Sequence, residues 1–263
     1  MILGTCDLIL MKLFDSHCHL YFPQYDADRD AVLARMQERE MGAMVIGTDF
    51  ATSTAALALA KQHDFLWTSV GLHPTSTEDF DMSKFLHLAQ QPKVVAVGEC
   101  GLDYFRSEKS EEQKERFKKH IELALKLKKT LVIHCREAHD DMLTVLSAYS
   151  HELAHIPVVM HFFTGSGELA QKYLDLGCYL SFPGPVTYTD MYDDSIRICP
   201  LDNMLIETDA PFAAPTPYRS KRNEPAYVEY VAQKVAQIKG ISVDAVMEHT
   251  VANAKKVFKL QQS

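Results

Sequence analysis

A chain of 263 residues holds one large domain or two small ones, and its 47% hydrophobic and 24% charged residues exclude a disordered tail, a collagen-like chain and a coiled-coil rod. With 27 Lys and Arg against 35 Asp and Glu, the net charge of −8 excludes a polybasic binder, so a phosphate-bearing substrate must be held by a local cationic feature or by metal ions. There is no run of about 18 apolar residues, hence no expected membrane helix; six scattered cysteines without a C-x-x-C pair read as the reduced thiols of a cytoplasmic protein.

Residues 1–11 come first. Met1–Leu10 is apolar but carries Asp7 and lacks a basic start, which makes a poor signal peptide; it reads as an extended start or a disordered leader, with the domain running over 12–263. From there short apolar runs alternate with amphipathic stretches. A strand is predicted over Leu13–His17 and a helix over Arg29–Met41, then strand Ala43–Thr48 and helix Ser53–His63, strand Leu66–Leu72 and helix Ser83–Gln90. Strand Val94–Glu99 and helix Ser110–Leu127 follow, then Leu131–His134 with Asp140–Tyr149, Val158–His161 with Glu168–Leu176, Cys178–Phe182 with Asp190–Ile198, and Met204–Glu207 with Pro225–Lys239. The strands are rich in Val, Ile, Leu and Phe, as strands buried on both faces are. Eight strand–helix units in about 250 residues predict a single-domain α/β fold, a (β/α)8 TIM barrel. An open doubly wound sheet would carry a glycine-rich turn after its first strand, where this chain has Asp15-Ser16-His17-Cys18-His19.

Along a strand, residues i and i+2 share a face, so His17 and His19 converge while Cys18 points away. By itself this is half a metal site. Glu99, His134 and His161 end the fourth, fifth and sixth strands, and Asp209 follows the eighth. In a closed barrel these ends meet at the C-terminal mouth, where active sites of this architecture lie. Four imidazoles and two carboxylates there suffice for two divalent ions with a bridging carboxylate and open positions for water. The imidazoles suit Zn, Mn, Ni or Co better than Mg.

The segments Phe14-Asp15-Ser16-His17-Cys18-His19, Gly71-Leu72-His73-Pro74, Val97-Gly98-Glu99-Cys100-Gly101-Leu102-Asp103, Ile133-His134-Cys135-Arg136, His161-Phe162-Phe163-Thr164-Gly165, Glu207-Thr208-Asp209-Ala210-Pro211 and Lys221-Arg222-Asn223-Glu224-Pro225, in this order, resemble the TatD family of metal-dependent deoxyribonucleases among the amidohydrolase-like barrels. The resemblance implies metal ligands at His17, His19, Glu99, His134, His161 and Asp209, with Glu99 bridging where many related barrels use a carboxylated lysine. It further implies divalent-metal hydrolysis of DNA phosphodiesters, often 3′→5′ on single strands, with Mg also usable. Cys100 departs from the small or β-branched aliphatic residue expected there, on the face turned away from the metals.

Other residues carry weaker signals. His73 is expected to contact a substrate phosphate or a metal-bound water, or else to cap its loop. Arg136 and Arg222 are candidate phosphate holders, since an acidic protein needs such cations, or else solvated loop arginines. Glu207 lies one layer below Asp209 and either orients a ligand histidine or forms a structural ion pair. Tyr104 and Phe105 are common loop aromatics able to stack a base. Cys18, Cys100 and Cys135 read as small hydrophobes buried against the helices, and His63, His87, His120, His139, His151, His155 and His249 as surface residues.

The function expected from these features is hydrolysis of DNA by water activated at a binuclear centre, with Asp209 accepting the water's proton and no membrane or obligate protein partner. Two rivals remain: an enzyme of the same barrel acting on a small cyclic ester, amide or phosphoester, and a non-catalytic metal-binding module.

Overall fold

The computed structural model describes residues 11–107 and 110–260. The expected leader, but for Met11, lies outside them; Met11 packs against the barrel's apolar floor. In chain order the elements are β1 (Leu13–Cys18), α1 (Arg29–Glu38), β2 (Met41–Ile46), α2 (Phe50–Ala60), β3 (Leu66–Val70), α3 (Met82–Ala89), β4 (Val94–Asp103) and α4 (Ser110–Leu127). They continue with β5 (Thr130–Arg136), α5 (His139–Ala148), α6 (Ser150–Leu153), β6 (Val158–Met160), α7 (Gly167–Asp175), β7 (Tyr179–Phe182), α8 (Asp193–Ile198), β8 (Met204–Ile206), α9 (Val228–Lys239) and α10 (Val243–Val257). The strands pair in parallel in the order β1 to β8. The ring closes through a bridge between Cys18 and Ala210, with the His19 amide donating to the Ala210 carbonyl at 2.7 Å and the Asp209 amide to that of His17 at 2.9 Å. This is the (β/α)8 barrel.

Period-two alternation sorts the core into two layers. Met41, Ala43 and Val45 of β2 face the helices, whereas Met44 and Ile46 join Phe14, Ala96, Val132, Val159 and Leu205 inside the barrel. Helix α10, outside the predicted elements, seals the barrel's N-terminal end with Val251, Ala254 and Val257, and Phe258 follows it to lie 6.1 Å from the ring of Phe14. Its start is chemically marked: Gly240 ends α9 in the left-handed region at φ 68°, and the Ser242 side chain accepts the Ala245 amide.

Two strands break the alternation by one residue. Asp15 pairs with Ala43 and Cys18 with Val45, so β1 places three steps against two; β4 does the same where Val97 pairs with Leu131 and Cys100 with Ile133. The extra residue reverses the strand's phase. Below it Phe14 and Ala96 face inward; above it Cys18 and Cys100 face the helices, and His17, His19 and Glu99 turn to the mouth. β4 also needs glycine. Gly98 and Gly101 sit at φ 140° and 135°, and a Cβ at Gly101 would stand 2.1 Å from the His134 carbonyl oxygen. With that approach β4 pairs with β5 as far as Asp103 and Arg136, beyond the predicted ends.

Of the histidines expected at the surface, His87, His151, His155 and His249 are exposed, and His63 and His139 are half-buried. His120 is the correction: it is 0% exposed. On α4 it accepts the Leu72 amide on Nε2 at 2.9 Å, which leaves its proton on Nδ1 to be donated to the Arg116 carbonyl at 2.8 Å. Arg116 itself donates to the Ser76 carbonyl at 2.6 Å. Helix α4 thereby braces both sides of the loop that carries His73, a role that its place on a helix gave no hint of.

Burial lowers the His120 pKa from 6.5 to about 4. Between those values the unfolded chain binds a proton that the folded one refuses, so this contribution is complete above pH 6.5 and is lost as pH falls towards 4. The shift corresponds to about 3 kcal/mol. Urea unfolding at pH 7 and pH 4.5 is expected to show a stability loss about 2–3 kcal/mol smaller in His120→Gln than in the wild type; equal losses would show that His120 is not held neutral.

Candidate metal centre

The ends of β1, β4, β5 and β6 and the turn after β8 bring six sequence-predicted residues together. Glu99, 4% exposed, stands in the middle. Its Oε1 lies 3.0 Å from His134 Nδ1, 3.2 Å from His161 Nε2 and 3.4 Å from His73 Nε2, and its Oε2 lies 3.5 Å from His17 Nε2. The Nε2 atoms of His17 and His19 are 3.3 Å apart, and Asp209 Oδ1 is 3.3 Å from that of His19 and 3.7 Å from that of His17. The His17 and His161 rings stack at 3.7 Å.

The far nitrogens determine what the near ones offer. His161 Nδ1–H donates to Glu207 Oε1 at 2.9 Å, His134 Nε2–H to Asp103 Oδ2 at 3.0 Å, and His19 Nδ1–H to the Ile46 carbonyl at 2.9 Å. Each ring therefore turns a lone pair towards a carboxylate oxygen. Lone pairs facing anions at 3.0–3.3 Å repel unless a cation or a proton stands between them. Two ligand atoms held about 2.0–2.1 Å from one tetrahedral cation lie roughly 3.3 Å apart, the spacing seen here. The donor set thus fits divalent cations: His17, His19 and Glu99, with Asp209 Oδ1 beside them, could hold one, and Glu99 Oε1, which faces His134, His161 and His73, could share a second with the first two, His73 lying at ligand spacing from Glu99 and His134 as well.

The charges fit too. Burial pushes the Glu99 carboxyl up, but His161, His73 and His134 outweigh it and hold the group well below the usual carboxylate range. Burial likewise raises Asp209, and His19 and His17 bring it below its ordinary value. Burial lowers His17, whereas carboxylates outweigh burial at the other three rings and raise them: Asp209 at His19, Asp103 and Glu99 at His134, and Glu207 and Glu99 at His161, so positive charge, as a second proton or a bound cation, is favoured there.

The supports are backbone and side chain together. Glu207, fully buried, also accepts the Phe162 amide at 2.8 Å, which joins His161 to β8. Asp15 accepts the amides of Thr208 and His17 and the Thr208 hydroxyl, and so clamps the seam beside Asp209. Asp103 went unnoticed in the sequence as the partner of His134. Its signal was present: it lies four residues beyond Glu99 on one strand, hence on the same face.

Above the six residues opens a cavity of about 710 Å³. Among the described residues the cations on its wall are Arg106 and Arg136. The Arg136 guanidinium lies 3.8 Å over the ring of Phe105, which is occupied in this way at the rim, while the Tyr104 hydroxyl donates to Asp141. His73 lines the same wall, its Nδ1 2.7 Å from the Thr75 hydroxyl, and burial lowers its pKa to about 4. Arg222 is elsewhere. Its guanidinium forks onto Asp28 at 2.6 and 2.7 Å and donates to the Gln24 carbonyl, so it ties the loop after β8 to the start of α1 instead of facing the cavity. Among the described residues the five cysteines are free. Cys18 and Cys100 are buried against the helices, as expected, but Cys135 is half-buried, lines the cavity and lies 3.4 Å from His139 Nδ1, with burial raising its thiol to about 12. The polar pair His139–Tyr173 behind it distinguishes it from a buried hydrophobe.

Residues 14–259 match the family model described as TatD related DNase. The chain is 38% identical to the uncharacterized metal-dependent hydrolase YabD of Bacillus subtilis, over 94% of this chain and 99% of that one. It is 33% identical to the 3′-5′ ssDNA/RNA exonuclease TatD of Erwinia tasmaniensis, over 94% of this chain and all of that one. Its backbone superposes on the crystal structure of YJJV, a TatD homologue from Escherichia coli, with a TM-score of 0.86 at 28% identity, covering 96% and 99% of the two chains. Matched from β1 to the end of α10, with the metal-ready mouth inside the match, the chain belongs to the TatD family of metal-dependent hydrolases.

Proposed function

We propose that the protein hydrolyses phosphodiester bonds of DNA, acting from the 3′ end of single strands, with two divalent cations bound at the mouth. One observation carries this reading: Glu99 faces His134 and His161 with one oxygen and His17 with the other, so a single carboxylate can serve both cations. The relative named as a 3′-5′ ssDNA/RNA exonuclease supports the choice of nucleic acid. Bound there, divalent cations supply Lewis acidity towards a phosphoryl oxygen and acidify water. The chain does the rest. Glu207 and Asp103 hold the rings of His161 and His134, while His73 and Arg136 line the wall on which phosphate oxygens would rest. Asp209, ionised and at the mouth, accepts the proton of the attacking water. Arg136 neutralises phosphate charge that a chain of net charge −8 would otherwise repel.

Three outcomes follow. Elemental analysis of purified variants is expected to find less metal at one site in His161→Ala and less at both in Glu99→Ala; equal metal in wild type and Glu99→Ala removes the bridging role. In Asp209→Asn, with Mn²⁺ supplied, digestion of a labelled single-stranded oligonucleotide should fall at least about 10²-fold while the melting temperature moves little, because general-base action contributes about 10²–10⁴-fold; wild-type digestion would acquit Asp209. Arg136→Met should lower kcat/KM on the same oligonucleotide roughly tenfold at unchanged metal content, the value of one charge-assisted contact. A wild type that cleaves no oligonucleotide but opens a small lactone or cyclic amide would move the protein to the other hydrolases of this barrel.

A further inference from the structure

The mouth is two-sided. The exits of β4 and β5 carry Arg106 and Arg136, whereas the turn after β8 and the loop after β1 carry Phe212 and Phe22. Phe22 lies parallel to the His19 ring at 5.0 Å and 12°, and Phe212 meets Phe22 edge-on at 5.8 Å, so an aromatic wall rises from the candidate centre to the rim. Phe212 tops it and is 48% exposed. The ring is not on a loose loop. The Phe212 amide donates to the Asp209 carbonyl at 2.9 Å, and the side chain of Asn223, itself 0% exposed, donates to the carbonyls of Phe212 at 2.6 Å and Thr208 at 2.9 Å. A large apolar face held rigid and open to water beside a polar centre is placed for a planar ligand group.

We propose that Phe212 is the base platform of the site. The nucleobase next to the scissile phosphate stacks on its ring, and the neighbouring phosphate lies across the mouth towards Arg136. This rests on the phosphodiester reading above and adds to it a direction for the substrate across the barrel. Stacking of this kind accepts any base, because each has a π face, and it separates nucleotides from sugar phosphates without a base. The ring's partner Phe22 stacks on His19, so a base seated on Phe212 keeps its sugar and phosphate within reach of the donors below.

The test uses the metal-loaded protein with two single-stranded oligonucleotides, alike except that the last nucleotide carries thymine in one and is an abasic tetrahydrofuran in the other. The wild type is expected to prefer the base-bearing end roughly tenfold or more in kcat/KM. That ratio should fall towards one in Phe212→Leu, which keeps apolar bulk without a π face, and persist in Phe212→Tyr. A ratio unchanged in Phe212→Leu overturns the platform and leaves phosphodiester hydrolysis standing. If the wild type cleaves neither oligonucleotide, the phosphodiester reading falls on its own, and equilibrium titration of thymidine 5′-monophosphate against deoxyribose 5-phosphate judges the platform. A preference for the nucleotide that Phe212→Leu loses and Phe212→Tyr retains upholds it; equal affinities in the wild type overturn it.

Discussion

A carboxylate at the centre of a barrel mouth is costly to bury, and Glu99 is nearly closed off from water. Desolvation alone would protonate it. Positive charge on His161, His73 and His134 reverses that balance and keeps it ionised; because His161, His134 and His19 each donate one proton outward, to Glu207, Asp103 and the Ile46 carbonyl, that charge comes from a second ring proton or from a bound cation. Without that charge the inner face would set lone pairs against carboxylate oxygens. Positive charge is the component this arrangement is built to receive, and every supporting contact around it serves to keep those lone pairs pointed inward.

The same logic explains the rest of the mouth. On the phosphodiester reading, a site of acidic and neutral ligands in a chain of net charge −8 must admit an anion, and the wall offers Arg136, alongside Arg106, whose guanidinium lies 3.9 Å from Asp103. Arg136 rests on Phe105, a contact that fixes the guanidinium without neutralising it, as a carboxylate partner would. Arg222 shows the opposite case: forked onto Asp28, its charge is spent on the fold.

Much of this was legible in the chain. The eight strand–helix units and the six converging residues follow from apolar periodicity and from polar residues placed at strand ends. What escaped depends on partners distant in sequence. His120 looks like any helical histidine until Leu72, 48 positions away, donates to it. Arg222 looks free until Asp28 is brought alongside. Helix α10 was missed because its apolar face is addressed to the barrel floor rather than to a strand following it, so the alternation that marked the other units ends before it begins.

The hardest feature to read is the change of phase in β1 and β4. Strict alternation from Phe14 would send Ser16 and Cys18 inward and His17 outward, and from Ala96 it would send Glu99 outward. The pattern of an apolar floor and the pattern of a polar mouth are thus each regular but out of step with one another. One extra residue in each strand reconciles them. The barrel can then pack its lower layers by hydrophobic rules against α10 and still aim histidines and a carboxylate from the same strands at a common centre. The bulge divides a stabilising end from a reacting end, and in β4 the glycines on either side of Glu99 let the shifted strand approach β5 closely enough to set Glu99 beside His134.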